Sequence, residues 1–143
     1  DINQLAAKLD NDGALSLDNE GIRLHQILNG IIDGEIVRNY KPIPLEVALS
    51  DDISFTKGCY TGQEIIARMD ARGALSRTLV TFSSTSLLDL GNHRIVGGGK
   101  LTVFDSIIDD EISYNLGLVH PDIADEGAEF EIGEISCIIL TKW

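Results

Sequence analysis

The residues of this chain best suited to chemistry stand in one run, F-T-K-G-C-Y-T-G-Q-E over positions 55–64. Cys59 supplies a thiol whose anion is both a nucleophile and a soft metal ligand, and neighbouring charge decides how readily that anion forms. Thr61 and Glu64 have capping-box spacing, which predicts a helix beginning at Thr61: its hydroxyl accepts from the Glu64 amide, and the Glu64 carboxylate reaches back to the Thr61 amide. Cys59 then lies two residues ahead of the cap. Unpaired helix amides and the positive end of the helix favour an anion there, and Lys57 adds a cation. On this reading Cys59 is a redox-active or metal-contacting thiol; the plainer alternative is a small side chain packed beneath the loop.

The same stretch offers further candidates. Gly58 and Gly62 flank the cysteine and either admit close approach of a ligand or simply shape the corner into the helix. Tyr60, Gln63 and Glu64 are candidates to face a ligand or partner, although Glu64 is already explained as a capping residue. Glu64, Arg68 and Arg72 recur on one helical face, and an exposed Glu64–Arg68 pair contributes only about 0.2–0.5 kcal/mol. Arg68, Arg72 and Arg77 are therefore read as holding this helix against the structure that follows, or as reaching an anionic ligand. Elsewhere, His25, His93 and His120 lack metal-ligand spacing with Cys59 or Cys137, and two cysteines cannot by themselves hold a cluster in four-thiolate mode. Gly97-Gly98-Gly99 leads into a strand and reads as a turn, not a phosphate loop. The acidic segment 105–111 lacks the glycine of a calcium loop and reads as a solvated hairpin end. No Ser-His-Asp arrangement is evident.

Positioning these residues requires helices first and strands afterwards. Ile2, Leu5, Ala6 and Leu9 repeat at helical spacing up to Asn11-Asp12-Gly13, and Ile22, Leu24, Ile27 and Leu28 open a second amphipathic helix ending near Gly30. Positions 31–55 carry Gly34, Pro42 and Pro44, which predicts a connector with one short helix at 45–49. Ile65, Ile66 and Met69 give the third helix its apolar face, and Gly73 stops it. From Arg77 onward the runs 78–83, 100–104, 112–119, 128–132 and 135–141 are rich in Val, Ile, Thr and Phe and punctuated by turn residues. Short strands without intervening helices predict an antiparallel barrel or sandwich.

Composition narrows the function. The 143 residues are 43% apolar, enough for a core hiding roughly two thirds of the unfolded surface. With 23 acidic residues against 11 basic and a formal charge of -12, phosphate backbones are repelled and direct nucleic-acid binding is disfavoured. No apolar run approaches the ~20 residues of a membrane span, and no signal peptide opens the chain. The expectation is a cytoplasmic protein with reduced thiols. A start at Asp1 without methionine further predicts a piece of a longer chain.

The run at 55–64, followed by Ala67-Arg68, Gly73 and Arg77, resembles the K-G-C-Y-x-G-Q-E signature of the YgfZ family and its mitochondrial iron–sulfur assembly relatives. Upstream, Gly30-Ile31-Ile32-Asp33-Gly34-Glu35 resembles the family's G-I-P-x-G-x-E segment, and Ile43-Pro44-Leu45-Glu46 its I-P-x-E step. The resemblance implies an α+β protein: the end of a mixed α/β folate-binding domain over 1–76, including the signature helix, followed by a C-terminal aminomethyltransferase-like β-barrel over 77–143. It implies tetrahydrofolate as cofactor, with Lys57, Gly58, Tyr60, Gly62, Gln63, Glu64, Arg68 and Gln26 as binding residues and Cys59 as the working thiol. Most of the pocket would lie outside this chain, which alone would be inactive. Many relatives place Arg in an R-x-x-x-G-I-P arrangement, where this chain has Gln26 and Ile32. A neutral amide cannot make the charge-assisted bidentate contact of an arginine to a folate carboxylate, and Arg23, one turn earlier, is the candidate substitute.

Three functions follow. The first is a folate-binding protein that supports assembly or repair of iron–sulfur enzymes, including those that thiolate tRNA, with folate and iron–sulfur client or assembly proteins as partners; a eukaryotic version would work in the mitochondrial matrix. The second is a folate-dependent aminomethyltransferase of the glycine-cleavage type. The third is a non-catalytic docking module whose acidic surface meets a basic partner.

Overall fold

The computed structural model describes residues 1–73 and 75–143. Four helices precede a six-stranded antiparallel sheet. Helix α1 spans Ile2–Asn11 and α2 spans Asn19–Leu28, where the periodicity predicts them. Each begins at an aspartate whose carboxylate accepts an early helix amide: Asp1 from Asn3 and Asp18 from Gly21. Helix α3, Gly34–Tyr40, falls where only a connector was expected. Gly34 suggests a break, but the Asp33 carboxylate before it takes the Glu35 and Ile36 amides at 2.9 and 2.8 Å, and that cap outweighs the glycine. Lys41 ends α3 in the left-handed region, and the short helix expected at 45–49 is a 3-10 turn at Pro44–Val47. Helix α4 covers Gln63–Arg72 and is terminated by Gly73 with φ of +59°, as its residue type suggests.

The strands are β1 Thr78–Ser84, β2 Gly91–Arg94, β3 Lys100–Asp109, β4 Ile112–Val119, β5 Glu129–Ile132 and β6 Ile135–Lys142. They pair in the order β2-β3-β4-β1-β6-β5. The sheet curls, and the Val96 amide beyond β2 donates to the Glu131 carbonyl on β5 at 2.8 Å, joining the two outer edges. The fold class is thus α+β with an antiparallel, barrel-like C-terminal sheet. The acidic segment is a hairpin end only at its tip: Asp105–Asp109 continue β3, and Asp110 and Glu111 alone make the turn, both with positive φ. The triple glycine 97–99 is a turn between β2 and β3, as expected. No helix among the described residues is long and apolar enough to cross a membrane.

Alternation along the strands divides the apolar residues into two cores. Val80 and Phe82 of β1 point inward with Leu101, Val103, Phe130, Cys137 and Ile139, whereas Leu79 faces outward with Phe104, Leu116 and Leu118 against Ile27 of α2, Ile36 of α3 and Val47. The helices therefore cover the outside of the sheet and leave its inside to close on itself. Helix α1 stands apart, with no buried residue and Ile2, Leu5 and Leu9 exposed. Within the sheet, fully buried Asn115 donates to Ser84 Oγ at 2.9 Å and accepts from Ser106 Oγ at 2.6 Å. Ser106 Oγ in turn lies 3.3 Å from the Leu88 amide, so this network is satisfied rather than costly.

The end of the chain is fastened back onto α2. Trp143 Nε1 donates to Thr81 Oγ1 at 3.0 Å, and that hydroxyl donates to the Ile27 carbonyl at 2.7 Å, one of the last carbonyls of α2. The indole lies over Gly30, whose φ is +61° and where an added Cβ would stand 2.5 Å from the ring. Gly30→Ala should therefore cost about 1–2 kcal/mol from the left-handed backbone alone and push the indole outward. Trp143 is the chain's single tryptophan, so a red-shifted emission maximum together with a lower urea midpoint is the expected result; an unchanged emission maximum would show that the ring does not rest on this glycine.

Candidate functional site

The signature run forms an open loop between a 3-10 turn at Ser50–Asp52 and α4. Its first fixed point is the Lys57 amide, which donates to Ser54 Oγ at 3.2 Å. Lys57 Nζ then lies 5.8 Å from the centre of the Tyr60 ring, a cation–π distance. Between them Cys59 is exposed. Gly62 adopts a φ of +88°, which L side chains rarely adopt, and so permits the turn into α4. An added Cβ would meet nothing at Gly58 or Gly62, so neither is there to make room within the chain.

The expected capping box is not formed. Gly62 is the N-cap, no side chain caps the helix, and α4 starts at Gln63. The left-handed turn at Gly62 carries Thr61 outside the helix, and the Glu64 carboxylate instead takes Arg68 Nη2 at 2.7 Å one turn along an exposed face. Cys59 consequently sits three residues before the cap rather than two. The Ile65 and Ile66 amides donate to the Gly62 carbonyl, which closes the first turn without either side chain.

The two thiols contrast sharply. Cys137 is 1% exposed in the interior of the sheet, and burial pushes its thiol up to about 11. Cys59 stands in solvent, with Phe55 and Ile65 also exposed on the loop and helix beside it. The alternative of a cysteine packed beneath the loop is thereby excluded. Tyr60 is half-buried, and its hydroxyl oxygen is buried with no hydrogen-bond partner among the described residues. Among those residues no three His, Cys, Asp or Glu side chains come together as metal ligands.

Gln26 is not brought to this loop. It lines a separate cleft with Arg23, Asp33, Glu35, Tyr40 and Asp105, none of them from the loop. Arg23, the candidate substitute for a family arginine, is bound to Asp105 through Nη2 and reaches the Ser106 carbonyl at 3.2 Å. That hydrogen bond raises its already high pKa, and desolvation with the Asp105 charge raises that of Tyr40. With its cation neutralised and two further carboxylates alongside, this cleft is poorly suited to an anionic group.

Against known proteins, no family model matches. The chain is 32% identical over 124 residues to the tRNA-modifying protein YgfZ of Aliivibrio fischeri, covering 78% of this chain and 38% of the relative. It is 35% identical over 98 residues to the iron–sulfur cluster assembly factor IBA57 homolog, mitochondrial, of Eremothecium gossypii, covering 58% of this chain and 21% of the relative. The YgfZ of Klebsiella pneumoniae is 43% identical over 56 residues, 39% of this chain and 17% of the relative. The chain belongs to the YgfZ family. It spans well under half the length of these relatives.

One YgfZ-family feature gains a physical role that sequence reasoning missed. Glu46, of the I-P-x-E step, is 1% exposed. Its carboxylate is gripped in bidentate fashion by Arg77, Nε to Oε1 at 3.0 Å and Nη2 to Oε2 at 2.7 Å, with Ser76 Oγ at 3.0 Å and the Ile43 amide at 3.3 Å. Arg77, the residue just before β1, thus ties the connector to the start of the sheet, not to α4. The spacing of Ile43 and Glu46 was the available signal, since a glutamate three residues after a turn start reaches back to that amide.

Proposed function

We propose that this chain is the signature-helix and sheet portion of a YgfZ-type folate-binding protein that supports assembly or repair of iron–sulfur enzymes, with Cys59 as its working thiol. The observation that carries the reading is the exposure of Cys59 at the tip of the K-G-C-Y-T-G-Q-E loop, while Cys137 is locked away in the sheet. A thiol meant for packing would be buried; one meant to meet an iron–sulfur client must reach solvent. The names of the relatives, an iron–sulfur cluster assembly factor and a tRNA-modifying protein, support the same class of role. An effect on tRNA would pass through the client enzymes, because a formal charge of -12 opposes a grip on the RNA backbone. The setting is cytoplasmic in a bacterium or the mitochondrial matrix in a eukaryote.

For folate, Tyr60 is the fitting residue: its hydroxyl has no hydrogen-bond partner among the described residues and its ring offers a stacking face, with Lys57 and Gln63 beside it. Gln26 does not fit, for the reasons of its acidic cleft. Bound tetrahydrofolate would supply a one-carbon carrier, and these residues would orient it.

The test is a Cys59→Ala substitution scored by the activity of an iron–sulfur enzyme in cells that depend on this protein. Activity should fall at least about tenfold, a loss equivalent to ~1.4 kcal/mol, while the melting temperature of the purified protein stays unchanged. Alkylation of the native protein should modify Cys59 and spare Cys137 until the chain unfolds. Full enzyme activity in the variant would remove the thiol from the function.

A further inference from the structure

The outer face of the sheet carries a basic cleft that the thiol loop does not use. Its origin lies in strand register. Antiparallel pairing sets Arg94 of β2 directly opposite Lys100 of β3, and Asn92 opposite Thr102. Thr102 pairs with Leu118 of β4, so His120, two residues on, extends the same face, and Arg77 leads into β1 as the next strand. Four neighbouring strands thus meet at one end of one face, where Arg77 is already held by Glu46 and His120 Nδ1 by Asp122, so Arg94 and Lys100 are the cations left to face the cleft. These six residues line a cleft of about 650 Å³, within the size range of sites for small molecules.

Two features point to an anionic occupant. Like charges directly opposite on paired strands are destabilising, yet Arg94 and Lys100 face one another with no carboxylate partner among the described residues. The donors beside them are also arranged. Thr102 Oγ1 donates to Asn92 Oδ1 at 2.8 Å, which leaves the Asn92 amide nitrogen as a donor. His93 is committed elsewhere, with Nε2 at 2.7 Å from the Asp89 carbonyl.

We infer that this cleft binds a small phosphate-bearing molecule, with Arg94 and Lys100 holding the phosphate oxygens and Asn92 donating from the next same-face pair along the two strands. Guanidinium and ammonium groups side by side match the spread charge of a phosphate group. A long nucleic acid is disfavoured because the formal charge of -12 on the chain opposes an extended phosphate backbone. The inference is independent of the role given to Cys59.

Inorganic pyrophosphate is the probe, titrated calorimetrically into the purified protein at low and at moderate salt. Saturable binding that weakens with salt is expected, and Arg94→Gln with Lys100→Gln together should lower affinity at least about tenfold. The double variant should melt at or above the wild-type temperature, since a repulsive pair has been removed, which separates lost binding from lost folding. Pyrophosphate should raise the melting temperature of the wild type and leave that of the variant unmoved. Absence of saturable binding at millimolar pyrophosphate, or equal binding by the variant, would overturn the assignment. So would a short single-stranded RNA that binds through the same two residues more tightly than pyrophosphate, since the cleft would then serve nucleic acid.

Discussion

Arg77→Ala should destabilise the protein by about 3 kcal/mol, the lower part of the range for stripping one partner from a buried ion pair. The asymmetry of the pair sets the size. Glu46 is 1% exposed on its side chain and Arg77 39%, so the substitution leaves a carboxylate in the interior with only Ser76 and the Ile43 amide for company. Water entering along the vacated arginine path keeps the loss from the upper end. Glu46→Leu combined with Arg77→Met should recover much of it, because two apolar side chains leave no uncompensated charge. Urea unfolding of the single and double variants measures both numbers. A loss below about 1 kcal/mol for Arg77→Ala would class the pair with ordinary surface ion pairs.

Gly117→Ala should be comparably damaging for a different reason. Gly117 lies on β4 between Val103 of β3 and Val80 of β1, and a Cβ there would stand 2.5 Å from the Thr102 carbonyl oxygen. That neighbour is main chain in a paired strand. It cannot rotate aside as the Trp143 ring can at Gly30, so relief requires spreading the two strands at the middle of the sheet. Overpacking of this kind costs about 3 kcal/mol, which corresponds to a melting temperature lowered by about 10 °C for a chain of this size. A shift of one or two degrees would show that the strands separate easily here.

Much of this architecture was legible because its signals are local. The periodicity of Ile2 to Leu9 and of Ile22 to Leu28 marks α1 and α2, and β4 begins and ends where its apolar run does. The failures are also local, but in competition. At Asp33-Gly34 a cap and a breaker are adjacent, and the cap wins. At Thr61-Gly62 the expected threonine cap gives way to the glycine beside it, because the loop must turn through a left-handed residue before α4 begins. The signature loop was readable by residue type, and the exposure of its cysteine argues against packing beneath the loop, one of the two readings that sequence left open. Nothing in the linear order announced that Glu46 and Arg77 would meet, or that Arg94, Lys100 and His120 would share one cleft. Those are facts of strand register and chain crossing, which residue types along a line do not specify.

The Val96–Glu131 contact described above implies a curled sheet that is weakest along one side. Every other junction is a ladder of paired residues, whereas among the described residues the two outer edges are joined by the one backbone hydrogen bond from Val96 to Glu131. Thermal breathing will concentrate there, since a single bond opens with far less cooperation than a full ladder. The neighbouring hollow holds Cys137 and Phe130 of the inner core. An agent that reaches the interior sulfur from outside should enter by that seam.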